Sequence, residues 1–256
     1  MEQLIDRRTQ GVIVDVIAIV LSILLAFTID AWWDERKERA EEQEVLASLY
    51  VEFEANRDEA ASVVEVHEAG ISSVAAVMEM SDEEILALST DEVEQHIRFF
   101  ANPRTFDAIR GTVDALTSSG KLGILRSRKL REALTTFVNI VEDAAEDRIY
   151  LSQSSMTIWN EIARNGGPWH RTTGDISPVD CSGSKPDRTC YINEQIAYLP
   201  AATPQDLLRL RNNATVMGYI NQGKINAAHY ATETRQAQLQ IEIILNLLEE
   251  NLQGAK

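Results

Sequence analysis

Residues 12 to 39 read VIVDVIAIVLSILLAFTIDAWWDERKER, an apolar run that ends in an acid, two tryptophans and a burst of charge. Val12 to Ile29 is 18 residues with one charge, and extension to Trp33 gives 22. At about 1.5 Å per helical residue these lengths span about 27 to 33 Å, close to the thickness of bilayer hydrocarbon. Asp15 and Asp30 lie near the two ends, where a carboxylate reaches the headgroup layer. The centre, Val16 to Ile29, carries only Ser22 and Thr28 as polar groups, and both hydroxyls can donate back to helix carbonyls. Trp32 and Trp33 fall where amphipathic rings favour the interface, so Asp30, Trp32 and Trp33 are expected at the membrane surface.

A cleaved secretory signal competes with this reading, with Arg7 and Arg8 as its basic leader. Cleavage needs small residues at the minus-three and minus-one positions, and Ile29-Asp30 before the tryptophans does not supply them. A core helix would show a polar stripe, which the 14 positions from Val16 to Ile29 lack. The expectation is a retained anchor over residues 11–33, a short tail over 1–10, and a helical extracytoplasmic domain over 34–256.

Working outward, the composition is that of a helical protein. Hydrophobic residues make up 45%, while Gly (12) and Pro (6) are scarce in 256 residues, which disfavours disorder and frequent turns. The formal charge is −16, and leaving out residues 1–33, with two arginines against four acids, still leaves −14. An acidic body repels phosphate backbones and anionic lipid surfaces alike, so both are expected to be poor general partners for residues 34–256, and nucleic acid is excluded. Lys121 to Arg131 is a local basic patch, read as a solvated face or an anion-binding surface.

The period of the apolar residues gives the layout. From the anchor the helix is expected to run on to about Met80, some 70 Å beyond the bilayer. Its seam is Leu46, Leu49, Phe53, Asn56, Ala60, Val63, His67, Gly70, Val74 and Val77, in steps of three and four. Ser81 with Glu84 and Ser89 with Glu92 form capping-box patterns that start shorter helices before Pro103. Thr105 is expected to cap a helix to Ser118, with Gly120 as its stop. After Ser127 the run Leu130, Leu134, Phe137, Val141, Ala144, Leu151, Ile158, Ile162 implies a second long helix, closed at Asn165-Gly166-Gly167-Pro168. Residues 165–202 read as one irregular loop. Thr203-Pro204-Gln205-Asp206 starts a last helix towards Leu252, with Ile241, Leu245, Leu248 and Leu252 as its stripe. The fold class that follows is all-α: a transmembrane helix continuing into an elongated antiparallel helical bundle, with coiled-coil-like seams that a homo-oligomer could complete.

Cys181 and Cys190 lie inside the irregular loop, in DCSGSKPDRTCYI. A disulfide there would tie down a loose segment and place the body in an oxidising space, the bacterial periplasm, with the N-terminus cytoplasmic. Two free thiols are the alternative; zinc would need further ligands, and no CxxC or histidine stands close by in sequence. The positive-inside count does not decide orientation, because Arg7 and Arg8 face Arg36, Lys37 and Arg39.

Two segments resemble a known family. Leu25-Ala26-Phe27-Thr28-Ile29-Asp30-Ala31-Trp32, followed by Leu46, Leu49 and Asn56, is similar to the N-terminal signature of domain of unknown function 6090. Leu116-Thr117-Ser118-Ser119-Gly120-Lys121-Leu122, with Ile124, Leu130-Arg131 and Leu134, is similar to that family's Ser-Gly-Lys-Leu segment. The resemblance implies an uncharacterised bacterial single-span membrane protein and brings no activity with it.

Motifs for chemistry are sparse. Gly218-Tyr-Ile-Asn-Gln-Gly223-Lys224 matches most of a phosphate loop, but Ile225 stands where Ser or Thr would hold magnesium, and no strand precedes it. None of His67, His96, His170 and His229 has Glu three residues before it, as di-iron bundles require. HExxH and GxSxG are absent. No catalytic residue, metal or cofactor is assigned, and the chain is expected not to be an enzyme. Asn56 and His67, polar on an apolar seam, and His229, in the polar stretch between Asn221 and Gln240, are the candidates for buried polar groups or a ligand site. That stretch of the last helix should lie on the surface or line a wet groove. The function expected is a membrane-anchored helical interaction or scaffold protein of the envelope, with the lipid bilayer and a second copy or another envelope protein as partners. A periplasmic small-ligand-binding, sensor-like module acting through a membrane partner is the alternative.

Overall fold

The computed structural model describes residues 2–100, 104–166 and 201–253, with side chains from residue 19 onward. Among these residues the protein is all-α. The order is α1 (Glu2–Glu79), α2 (Asp82–Leu86), α3 (Thr90–Phe100), α4 (Gly111–Ser118), a 3-10 turn (Lys121–Ile124), α5 (Arg128–Arg164), α6 (Pro204–Arg211) and α7 (Ala214–Gln253).

The helix starts have local causes. Ser81 Oγ accepts from the Glu84 N–H while the Glu84 carboxylate accepts from the Ser81 N–H, and Ser89 with Glu92 repeats the exchange at the start of α3. Thr203 and Asp206 do the same for α6, with Pro204 in its first turn. Gly120 sits at φ 69°, a left-handed conformation that suits glycine and stops α4. The expected single last helix is divided instead. α6 ends at Arg211, and Asn213 Oδ1 accepts from the Thr215 and Val216 N–H groups, so a side-chain cap starts α7 afresh.

The chain divides into two compact units. The first comprises residues 1–52, 110–131 and 247–256. Leu46, Leu49, Val113, Leu116, Leu125, Leu130 and Leu248 are buried in it. From residue 19 to 41, every position of α1 is exposed.

The second unit comprises residues 53–109 and 132–246. Every seam residue of α1 that falls in it is buried, from Phe53 to Val77. The Phe53 and Phe137 rings meet edge-on with centroids 4.9 Å apart, worth about 1 kcal/mol beyond the burial of two rings. Further along, Val74, Val77, Ile158, Trp159 and Ile162 join α2, α3, α6 and the start of α7 in one apolar cluster. As α1 advances from Phe53 to Val74, its neighbour α5 advances from Phe137 to Ile158, so these two helices run parallel. This departs from the antiparallel expectation. α7 does run against both: Arg235 pairs with Glu68 on α1, while Gln240 donates to the Ala133 carbonyl and Asn226 to Ser154 on α5.

The polar stretch of α7 lies on the surface, as one of the two expectations had it, but a single seam runs buried along it. Ile220, Gly223, Ala227, Tyr230, Thr234, Ala237, Ile241 and Ile244 recur in steps of three and four, and of these only Ala227 is less than fully buried. Gly223, Ala227, Thr234 and Ala237 are the small members of this contact face. A Cβ at Gly223 would stand 2.5 Å from Ile158 Cδ1, so this position admits no side chain without movement of Ile158.

Candidate functional site

Two features of the described residues bear on function: an exposed apolar surface at the start of α1, and a set of buried polar side chains further along it. The first is built by Ile19, Val20, Leu21, Ile23, Leu24, Leu25, Phe27 and Ile29, all exposed, with Trp32 and Trp33 shortly after them. Thr28 Oγ1 donates to the Leu24 carbonyl at 2.7 Å, which removes the one unmet donor of that side chain from an apolar surface. The Arg36 guanidinium carbon stands 5.7 Å from the centre of the Trp32 ring, a cation–π distance. α1 is the one helix among the described residues long and apolar enough to cross a membrane. Its other apolar-rich stretch, around residues 60–77, is spent on the buried seam.

The second feature answers what polar residues do on an apolar seam. In the second unit Asn56 Nδ2 donates to the Ile109 carbonyl at 2.8 Å, and Asn56 Oδ1 accepts from the Ile109 N–H at 2.7 Å. His67 Nε2 lies 2.8 Å from the Arg104 carbonyl oxygen. A carbonyl only accepts, so Nε2 carries the proton. Burial holds this imidazole below its ordinary value, opposed by the bond to the Arg104 carbonyl and helped by the Arg104 charge. The ring is therefore neutral at pH 7. Tyr230 of α7 meets His67 edge-on, with ring centroids 5.6 Å apart, and its hydroxyl accepts from the Phe106 N–H at 2.8 Å.

The first unit uses the same device. Glu52 Oε2 accepts from the Thr112 N–H at 2.7 Å, and Glu42 Oε1 from the Arg126 N–H at 2.7 Å. Arg110, at the N-cap of α4, offers no side-chain cap of its own. The Glu52 carboxylate supplies the missing acceptor at the positive end of that helix. Thr105, expected to start a helix, starts none: residues 104–110 are non-helical, because backbone groups of Arg104, Phe106 and Ile109 are held by side chains of α1 and α7.

Asn56 and His67 are thus buried and already partnered by backbone. His229 is not among the buried groups. It stands on the exposed side of α7, one residue from the buried Tyr230, because it falls outside the three-four seam. Beside His67 is a cavity of about 20 Å³ lined by Gly70, Ser154, Ser155, Ile158 and Lys224 among others, room for one water and no more. Gly218 to Lys224 lies inside α7, where the backbone N–H groups a phosphate would need are spent on the helix. Among the described residues no three His, Cys, Asp or Glu side chains converge as metal ligands. Cys181, Cys190 and His170 lie outside the described residues.

The chain matches no family model, no curated protein and no solved structure. The resemblance to domain of unknown function 6090 accordingly rests on the residues quoted for it.

The functional signals missed in the sequence were Glu42, Glu52 and Tyr230. Glu42 falls four residues before Leu46, in step with the apolar seam, and Glu52 one place off it beside Phe53, and an acid on or beside a buried stripe was the signal available. Tyr230 stands at a seam step of α7 that small residues obscured.

Proposed function

We propose that the protein is a membrane-anchored helical interaction or scaffold protein of the bacterial envelope, held by residues 11–33 and presenting its helical body outside the cytoplasm. The observation that carries this reading is the unrelieved apolar exposure of α1 from Ile19 to Trp33 on a helix that continues without a break into buried seam. Burying such a surface in lipid gains about 25 cal/mol per Å², and leaving it in water invites aggregation. The buried polar groups, tied to backbone, support a fixed structural role over a small-ligand module, as does a cavity of about one water. The extracytoplasmic placement rests on pairing of Cys181 with Cys190.

Flotation of the full chain with neutral phosphatidylcholine vesicles, resistant to alkaline carbonate, is the expected result. Recovery in the soluble fraction would overturn the anchor. Thiol labelling of intact cells, with and without reductant, tests the side: labelling by an impermeant reagent only after reduction is expected, and labelling only after lysis would place the body in the cytoplasm.

A further inference from the structure

We propose that residues 121–131 form a basic collar that binds the phosphate of anionic glycerophospholipid headgroups beside the anchor. The proposal rests on the anchor reading above. Lys121, Arg126, Arg128, Lys129 and Arg131 occur with no acid between Gly120 and Glu132, in a chain of net charge −16.

Their place in the first unit decides the partner. Lys121 Nζ lies 3.5 Å from Glu41 Oε1, and the Arg126 guanidinium lies 3.4 Å from both Glu35 and Glu42. The segment therefore runs beside residues 35–42 of α1, the first turns after Trp33. At 1.5 Å per residue, Glu35 stands about 3 Å and Glu42 about 14 Å beyond Trp33 along the helix. The headgroup layer is roughly 5–8 Å deep on each face, and unscreened attraction reaches about 8 Å further. Arg126 thus stands at headgroup height, with Lys121 within electrostatic reach.

Acids share the site. Residues 34–42 contribute Asp34, Glu35, Glu38, Glu41 and Glu42 together with Arg36, Lys37 and Arg39. Glu35 is held below the usual carboxylate range by hydrogen bonds from Arg39 and Arg126, and Glu41 and Glu42 are paired with Lys121 and Arg126. Eight basic groups against five acids leave a positive surplus where the rest of the molecule is acidic. Lys121, Arg126, Arg128 and Lys129 are all exposed. An open concavity of about 410 Å³ is lined by Glu38, Glu41, Lys121, Gly123, Ile124 and Arg126, so a phosphodiester there would share Lys121 and Arg126 with their carboxylate partners, with an isoleucine for the glycerol behind it. A free polyanion is a poor fit, because the remainder of the acidic body would repel it.

The test uses the full chain in lipid nanodiscs of phosphatidylcholine alone and with about one third phosphatidylglycerol. Spin-labelled phosphatidylglycerol is expected to associate with the protein about fivefold more strongly than spin-labelled phosphatidylcholine, the worth of one such charge at an anionic surface. The triple variant Lys121→Gln, Arg128→Gln, Lys129→Gln should bring that ratio close to one, with an unchanged helix melting curve. Lys129→Gln alone, at an exposed first-turn position, should lower the ratio in part and covers the case in which the triple variant does not fold. A wild-type ratio of one, or a triple variant that folds and keeps the preference, overturns the collar while leaving the anchor standing. Failure to enter neutral bilayers overturns both. Loss of the preference in inorganic phosphate at matched ionic strength would reassign the site to free phosphate and overturn the lipid assignment.

Discussion

Replacing Asn56 with leucine tests whether the polar seam residues are structural clips. Leucine keeps the branching and the number of heavy side-chain atoms, though it is bulkier, and improves the apolar pattern of α1, so hydrophobicity alone forecasts a neutral or stabilising change. The geometry forecasts the reverse. Asn56 is fully buried and makes both a donor and an acceptor bond to Ile109, at 2.8 and 2.7 Å. Leucine leaves the Ile109 N–H and carbonyl without these partners, at about 1–3 kcal/mol each. Burial of the new side chain returns about 1–2 kcal/mol. The net expectation is a loss of about 2–3 kcal/mol. Urea denaturation of the full chain reads the total, and amide hydrogen exchange at Ile109 and Phe106 reads the local event. Exchange at Ile109 should accelerate first, ahead of amides in the Phe53–Phe137 region. A variant within about 0.5 kcal/mol of wild type, with unchanged exchange at Ile109, would show that the two bonds contribute nothing and refute the clip assignment.

Two glycines on facing seams should respond oppositely to alanine. A Cβ at Gly70 meets Phe99 at ordinary contact distances of 3.5 Å and beyond, so Gly70→Ala should stabilise by about 0.5–1 kcal/mol through helix propensity. Gly223→Ala drives a Cβ to 2.5 Å from Ile158 and should destabilise by about 1–3 kcal/mol in thermal melts, with partial rescue by Ile158→Val. Glu233 is pushed up to about 7 by burial first and then by Asp147, Asp143 and Glu146 across on α5. Its protonated form is favoured in the fold, so ionisation costs stability as pH rises from about 4.5 to about 7. Glu233→Gln should therefore stabilise by about 1 kcal/mol near pH 8, the full shift of about 3 kcal/mol being reduced by solvent screening, and should change nothing near pH 4. Equal effects at both pH values would refute it. His67 runs the other way: held below its ordinary value by burial, it contributes stability that is complete above about pH 6.5 and is lost as pH falls through the folded value. His67→Gln, which keeps a donor for the Arg104 carbonyl, should flatten the fall of the denaturation midpoint as pH drops below about 6.5; an unchanged slope would sink the assignment.

Much of the helical layout was legible because the apolar residues carry it directly. The α1 seam from Leu46 to Val77 and the α5 run from Leu130 to Ile162 were written in residues whose burial dominates folding, and all but Val141 are buried. Caps at Ser81, Ser89 and Thr203 were legible for a different reason: they are local bonds over three residues. The α7 seam was hidden because Gly223, Ala227, Thr234 and Ala237 contribute contact by being small, which hydropathy does not score. The parallel pairing of α1 with α5 was hidden because the antiparallel expectation assumes short connections, whereas 48 residues lie between Glu79 and Arg128. Of the candidate site, Asn56 and His67 were visible as polar breaks in a stripe, but their partners are backbone groups and carry no sequence signal.

The failure of Thr105 to start a helix follows from lengths. Asn56 and His67 are eleven residues apart on α1, about 16 Å along the axis. Their backbone partners, Arg104 and Ile109, are five residues apart. An extended chain covers five residues in about 16 Å, whereas a helix covers them in about 8 Å. Only the extended form reaches both clips at once, and Phe106, between them, then offers its N–H to Tyr230. A helix over 104–110 would gain a few intrahelical bonds but leave Asn56 buried with four hydrogen-bonding sites and no partner, the costlier outcome. The two polar residues on the seam therefore select the backbone conformation of a segment more than thirty positions away. The spacing makes a further demand: moving the asparagine one turn along α1, as Asn56→Leu with Ala60→Asn, brings the two clips to seven residues, about 10 Å. That variant should fail to restore the protection of the Ile109 amide, and restoration would show that the clip spacing does not set the strap.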